Sequence, residues 1–297
     1  MRQKTIAWFI VAFVLIACRN SENKYDATGT FEATETTVYA EQSGRLLHFD
    51  VTEGAELVAG NEVGVIDTVP IALRIRQLGA AKEVYASQKP DMRKQVAATK
   101  QQLEKARLEQ RRYTELVHDG AAPRKTLDDA VSSVNVLERQ LEAQISTLQT
   151  TDKSLDRQIH ATDTQVSELA DQLRKCHISS PITGCVLEKY VEDGEFVTIG
   201  KPLFKVADTR QIFLRAYVTS DQLRNVKIGQ HVKVMSDYGK GQTKAYDGIV
   251  TWISSQSEFT PKTILTNDER ADLVYAVKIS VRNDGYLKIG MYGEVKL

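Results

Sequence analysis

Several classes of protein are excluded by what this chain lacks. It has five His and three Cys in 297 residues, scattered along the chain, too few for a Cys-rich zinc module or a disulfide-built scaffold. It has no surplus of either charge: 39 Lys and Arg stand against 39 Asp and Glu. A nucleic-acid binder needs a basic excess to displace counterions, so the charge balance removes that reading. Only 7% of residues are aromatic, but 42% are hydrophobic and 26% charged, a mixture that fits neither bulk disorder nor a polytopic membrane protein. The length suits two or three small domains.

Long apolar runs are missing apart from one near the N-terminus. Arg2 and Lys4 precede Ile6–Ala17, a 12-residue apolar run ending at Cys18. As a helix that run rises only about 18 Å, well short of a hydrocarbon core of about 30 Å. Residues 1–17 therefore read as a cleaved signal peptide. Leu15-Ile16-Ala17-Cys18 resembles a bacterial lipobox, in which the Cys receives a lipid and becomes the mature N-terminus. A plain signal peptide with an incidental Cys is the simpler alternative. Loss of Arg2 and Lys4 leaves 37 basic and 39 acidic residues, and Arg19–Lys24 reads as a polar tether. Acylation at Cys18 implies an envelope protein held to a membrane outside the cytoplasm.

The strongest periodicity lies mid-chain. Alternating steps of four and three from Leu127 to Cys176 visit fifteen positions, of which only Glu138, Asp152 and Thr162 are not apolar. That is a coiled-coil seam. A weaker seam runs from Ile71 to Val117, apolar at ten of fourteen positions, with Lys82 and Lys89 among its polar exceptions. Pro90 predicts a kink, because it lacks an N–H and clashes with the preceding turn. Between the arms, Gly120 suits a left-handed helix C-terminus and Pro123 the start of the next helix. So short a link predicts an antiparallel hairpin. Arms of about 50 residues extend it roughly 75 Å. Two helices bury little surface alone, so the outer faces are expected to meet other copies or a partner.

An internal repeat flanks the hairpin. Gly44, Val51, Gly54 and Gly60 align without gaps, 140 residues on, with Gly184, Val191, Gly194 and Gly200, and Ile66 pairs with Val206. Both copies alternate short β-rich stretches with Gly at turns. Halves on either side of an antiparallel hairpin come together to complete one small β domain.

This order of parts, with Ser180-Pro181-Ile182-Thr183-Gly184 opening the second half, resembles the HlyD-like membrane fusion proteins, the periplasmic adaptors of tripartite export systems. The resemblance covers nearly the whole mature chain. It implies an elongated multidomain α+β fold: an antiparallel coiled-coil hairpin inserted in a lipoyl-like (biotinyl-like) β domain, followed by a β-barrel domain. On that reading 1–17 is the signal peptide, 18–35 the lipidated tether and first barrel strand, 36–68 the first lipoyl-like half, 69–177 the hairpin, 178–208 the second half and 209–297 the barrel. Ser257–Lys262 and Glu269–Lys278 resemble the subgroup often paired with ABC exporters, so an ABC transporter is the favoured partner and an RND pump the second choice. The chain ends at Leu297 in a strand-like segment, so a separate membrane-proximal domain is not expected.

Carrier chemistry and catalysis find no support. True lipoyl and biotinyl domains display a Lys on a tight turn between halves. Here the first half ends Ile66-Asp67-Thr68, over a hundred helical residues replace the turn, and Thr68 cannot form the tethering amide. His48, His118, His160, His177 and His231 fall on different elements with no nucleophile or ligand-spaced partner. Glu138 and Asp152 lie about 21 Å apart along one helix and are read as specifying register or marking loosely packed layers. Cys176 and Cys185 are not expected to bond to each other, because an extended stretch separates them by more than disulfide geometry allows. No enzyme activity, cofactor or metal is expected.

In the adaptor family an Arg, a Leu four residues on, and a Ser seven beyond that Leu dock an outer-membrane channel. Arg112 and Leu116 match here, on one helical face, while Pro123 stands where the family has Ser. The implied docking tip is Arg112, Leu116, Gly120 and Pro123. The expected function is a lipid-anchored periplasmic adaptor, oligomerised as a ring, joining an inner-membrane exporter to an outer-membrane channel in a Gram-negative-type envelope. The alternative is an envelope lipoprotein using the hairpin as a scaffold without transport.

Overall fold

The structure is a computed structural model, and it describes residues 26–239, 242–259 and 273–297. The signal peptide, Cys18, the polar tether, and Thr260-Pro261-Lys262 with Glu269–Asp272 of the exporter-like stretch lie outside the described residues. The chain forms two compact units: one of residues up to Ala40 with His48–Gly64 and Ile178–Leu297, the other of Glu41–Leu47 and Val65–His177.

In chain order, the strands before the helices are β1 (Ala27–Tyr39), β2 (Gly44–Phe49), β3 (Glu56–Leu57) and β4 (Glu62–Ile66). The helices α1 (Val69–Ser87), α2 (Met92–His118) and α3 (Arg124–Arg174) follow. Then come β5 (His177–Ser179), β6 (Gly184–Lys189), β7 (Phe196–Val197), β8 (Pro202–Thr219), the short α4 (Ser220–Leu223), β9 (His231–Gly239), β10 (Gln242–Phe259), β11 (Leu273–Arg282) and β12 (Tyr292–Lys296). An eight-stranded sheet runs β1-β12-β9-β10-β11-β8-β6-β3, and a four-stranded sheet runs β5-β4-β2-β7.

The larger sheet curls until β1 also pairs with β8, from Thr28↔Tyr217 to Tyr39↔Pro202. Period-two burial explains the curl. Along β8, Ile212, Leu214, Ala216 and Val218 point inward, and they meet Phe31, Val234, Val250, Val277, Ile279 and Val295 in one apolar core. Gly29 permits the close approach of β1 to β8, since a Cβ there would sit 1.9 Å from the Arg215 carbonyl oxygen.

The 140-residue repeat persists in the backbone. Gly60 N–H donates to the Ser180 carbonyl at 2.8 Å, and its counterpart Gly200 donates to Ala40 at 2.9 Å. Ser180 donates to Asn61, and Ala40 to Lys201. Asp50 donates to Val63 as Tyr190 does to Leu203. Each half thus supplies the donors and acceptors the other lacks, and both copies turn at glycines with φ near +85° (Gly54, Gly194).

In the second unit, α1 and α2 lie antiparallel along α3. Every one of the fifteen α3-side seam positions is buried or half-buried. Leu103, Ala106 and Val134 form a small core with Leu137 and Leu141 against it. The first arm breaks rather than kinks at Pro90. α1 stops at Ser87, and α2 restarts with Asp91 as N-cap, accepting from Lys94 N–H at 3.3 Å. The break falls where both seams turn polar: the Lys89 ammonium reaches Asp152 at 3.5 Å and Asp156 at 2.7 Å. Hydrogen bonding to Asp156, with Asp152 beside it, raises the Lys89 pKa above its ordinary value. Arg107 bonds Glu138 at 2.7 Å, and Lys82 bonds Asp163 at 2.6 Å. Buried Thr162 satisfies its hydroxyl on the Gln158 carbonyl.

Two stability predictions follow from these contacts. A Cβ at Gly184 would lie 2.2 Å from the Ala207 carbonyl oxygen, a backbone atom that cannot rotate away. Gly184→Ala should therefore cost about 3 kcal/mol by overpacking. Gly54→Ala meets open space and only an unfavourable φ, costing about 1 kcal/mol. Urea midpoints of the two variants test that order. In the hairpin, Leu103 is 4% exposed and Val136 60%. Leu103→Ala should cost at least about 2 kcal/mol and Val136→Ala under about 0.5 kcal/mol, measured by loss of helical circular dichroism. Equal effects would contradict the seam.

Candidate functional site

The turn between α2 and α3 is the candidate site. α2 ends in a Schellman motif. Gly120 N–H donates to the Val117 carbonyl at 3.1 Å, and Ala121 N–H to the Leu116 carbonyl at 2.8 Å. This needs a left-handed residue after the cap, and Gly120 supplies it at φ +69°. Pro123 is the N-cap of α3, with φ −65° and ψ 142°, one position earlier than the first helical residue expected from its pyrrolidine ring. No side chain caps this end. Thr126 turns back instead, its hydroxyl donating to the Pro123 carbonyl at 2.5 Å.

Arg112 and Leu116 lie one turn apart on α2, and both are exposed. Leu116 is 37% exposed despite its apolar side chain, while its neighbours Tyr113 and Val117 occupy the half-buried seam. No ion pair engages the Arg112 guanidinium among the described residues. The tip thus brings Leu116, Gly120 and Pro123 into one turn, with Arg112 a helical turn below. The arrangement is a charged fork beside an exposed apolar side chain.

Among the described residues nothing resembles a reaction centre. Among the described residues no group of three His, Cys, Asp or Glu is placed to hold a metal ion. Cys176 and Cys185 are free thiols; Cys176 is buried, its pKa raised by burial and by nearby Asp67. No helix among the described residues is long and apolar enough to cross a membrane. One arrangement escaped the sequence reading: Tyr238, Tyr246 and Tyr286 gather around Lys244. They come from two strands and a loop, which no periodicity or motif connects.

Comparison with known proteins gives this geometry a context. A family model described as "RND MFP, barrel-sandwich hybrid domain" matches residues 34–209, more than half the chain. A UPF0194 membrane protein of Acidithiobacillus ferridurans is 24% identical over 284 residues, 89% of this chain and 83% of the relative. A UPF0194 membrane protein of Citrobacter koseri is 28% identical over 271 residues, 84% of this chain and 81% of the relative. In fold, the chain is similar to MacA from Actinobacillus actinomycetemcomitans (TM-score 0.57, 22% identity, 91% of this chain and 76% of that one). It is also similar to the membrane fusion protein Spr0693 from Streptococcus pneumoniae R6 (TM-score 0.52, 17% identity, 91% and 97%). Proteins of the matched family are non-catalytic scaffolds, and this chain is not an enzyme. The chain belongs to the membrane-fusion-protein (HlyD-like) family, the periplasmic adaptors that link an inner-membrane transporter to an outer-membrane channel.

Proposed function

We propose that the α2–α3 tip is the surface on which this adaptor receives its outer-membrane channel, with Arg112 and Leu116 as the contact pair. The exposure of a leucine and an unpaired guanidinium on one face of the distal turn supports this reading best. The adaptor works by geometry: copies assemble as a ring, and their hairpins carry the transporter's state toward the channel. The ring of strand pairings β1-β12-β9-β10-β11-β8-β1 is read as a β-barrel domain, and the paired half-repeats as the lipoyl-like domain.

The transporter is taken to be of the RND class. The matching family model carries RND in its description. This replaces the expectation of an ABC exporter, which rested on two segments partly outside the described residues. Anchoring is assigned to a lipid on Cys18, with the inner membrane as its seat.

Cys18→Ser should abolish acylation and release the protein from the membrane, read by lipid labelling and fractionation. Retention with unchanged labelling would reject the lipid anchor.

Arg112→Asp should reduce export and channel cross-linking while thermal stability stays within about ±0.5 kcal/mol of wild type, as for an exposed helical site. Wild-type export and cross-linking would remove Arg112 as a necessary contact. Pro123→Ser restores the hydroxyl found elsewhere in the family. Stronger cross-linking would make that hydroxyl a usable third contact, and no change would show that this tip docks without it.

A further inference from the structure

The curled sheet carries a second site, independent of the hairpin and of the adaptor reading. The Lys244 ammonium lies 5.5 Å from the ring centre of Tyr238, 5.5 Å from that of Tyr246 and 5.8 Å from that of Tyr286. A carboxylate completes the enclosure, since Asp284 forms an ion pair with the same ammonium. Three aromatic faces and one anion around a cation are the recognition chemistry of methylated ammonium groups.

The walls do not depend on the lysine that fills them. Tyr246 is 8% exposed, fixed in the apolar core, and its hydroxyl donates to Asp284 Oδ1 at 3.2 Å. Tyr286 is tied at both ends: its backbone N–H donates to Asp284 at 3.1 Å, and its hydroxyl to the Asp237 carbonyl at 3.2 Å. Tyr238 packs on Tyr286 with ring centres 4.7 Å apart. Lys244 reaches the enclosure through its side chain alone. Its side chain is 37% exposed, at the start of β10, and can swing into solvent without disturbing a backbone bond.

We propose that Tyr238, Tyr246, Tyr286 and Asp284 form a binding site for a small organic cation bearing a methylated ammonium, which Lys244 occupies as a tethered internal competitor. Methyl groups suit the three rings better than a primary ammonium does, because a quaternary ammonium is weakly hydrated and loses no hydrogen bonds to water on entry. The tether gives Lys244 an effective concentration on the order of millimolar, so an added ligand must outcompete it. That makes the site conditional: it opens only to a cation present at high local concentration.

The full chain tests this with choline as probe and 3,3-dimethylbutan-1-ol as its uncharged isostere, titrated by tyrosine-ring NMR shifts. Lys244→Ala should bind choline at least about tenfold more tightly than wild type, since it removes the competitor. The uncharged isostere should not show that gain. Adding Tyr238→Ala to Lys244→Ala should reverse it, Tyr238 being the exposed wall. Lys244→Met keeps the methylene stem without the charge and repeats the comparison if the alanine variant melts early. A folded Lys244 variant that binds choline no better than wild type, or binds the alcohol equally well, overturns the proposal.

Discussion

The fold depends on two half-domains meeting across 140 residues of sequence. Each half offers backbone donors and acceptors at its turns that only the other half satisfies, as the matched bonds Gly60–Ser180 and Gly200–Ala40 show. A flexible insertion of this length would add loop-closure entropy to their pairing. An antiparallel hairpin avoids that cost by returning the chain to where it left. Within the second unit, Ile66 N–H bonds the Cys176 carbonyl at 2.9 Å, so the outgoing and returning strands are joined at its base. The hairpin is the device that returns the chain to its own starting point.

Electrostatics fixes the order in which the arms align. Residues 69–118 carry eleven Lys and Arg against five Asp and Glu, while residues 124–174 carry six against nine. The arms therefore attract, and the inter-arm ion pairs from Lys82, Lys89 and Arg107 all run from a base on the first arm to an acid on the second. Such half-exposed pairs add little stability individually. Their value is positional, because sliding one arm by a turn would separate each base from its acid while leaving leucine against leucine. The polar seam residues Glu138 and Asp152 thus act as register marks, each with a named partner.

The α3 side of the seam was legible in the sequence because a coiled coil imposes one spacing along its length, and burial follows that spacing there residue by residue, whereas Lys89 and Met92 on the first arm are exposed beside the Pro90 break. The half-repeat was legible for a similar reason, since glycine at a positive-φ turn leaves a mark at a fixed offset. Contacts made by strand register and by a distant loop left no such mark. Lys244 lies across from Ser236, two residues from Tyr238, and Tyr286 arrives from a loop. Only the pairing of β9 with β10 turns those positions into an enclosure. The break at Pro90 was half legible: the proline announced a disturbance, but the Asp91 cap that lets a new helix start lies in the backbone geometry.

The tip shows how a family pattern can survive the loss of one member. The serine position is held by Pro123, which has neither a hydroxyl nor a backbone N–H to offer. The nearest threonines do not replace it. Thr126 spends its hydroxyl on the Pro123 carbonyl, and Thr114 spends its own on Gln110. Among the described residues no ion pair engages the Arg112 guanidinium, and Leu116 lies one turn on as an exposed apolar side chain. On the proposed docking reading, a partner offers an acceptor to the arginine and an apolar recess to the leucine. It gains nothing from an acceptor placed for a serine. In exchange, the fixed φ of Pro123 stiffens the turn, so less conformational entropy is lost when the tip is held. On the proposed docking reading, the tip offers a two-point contact on a stiffened turn in place of a three-point one.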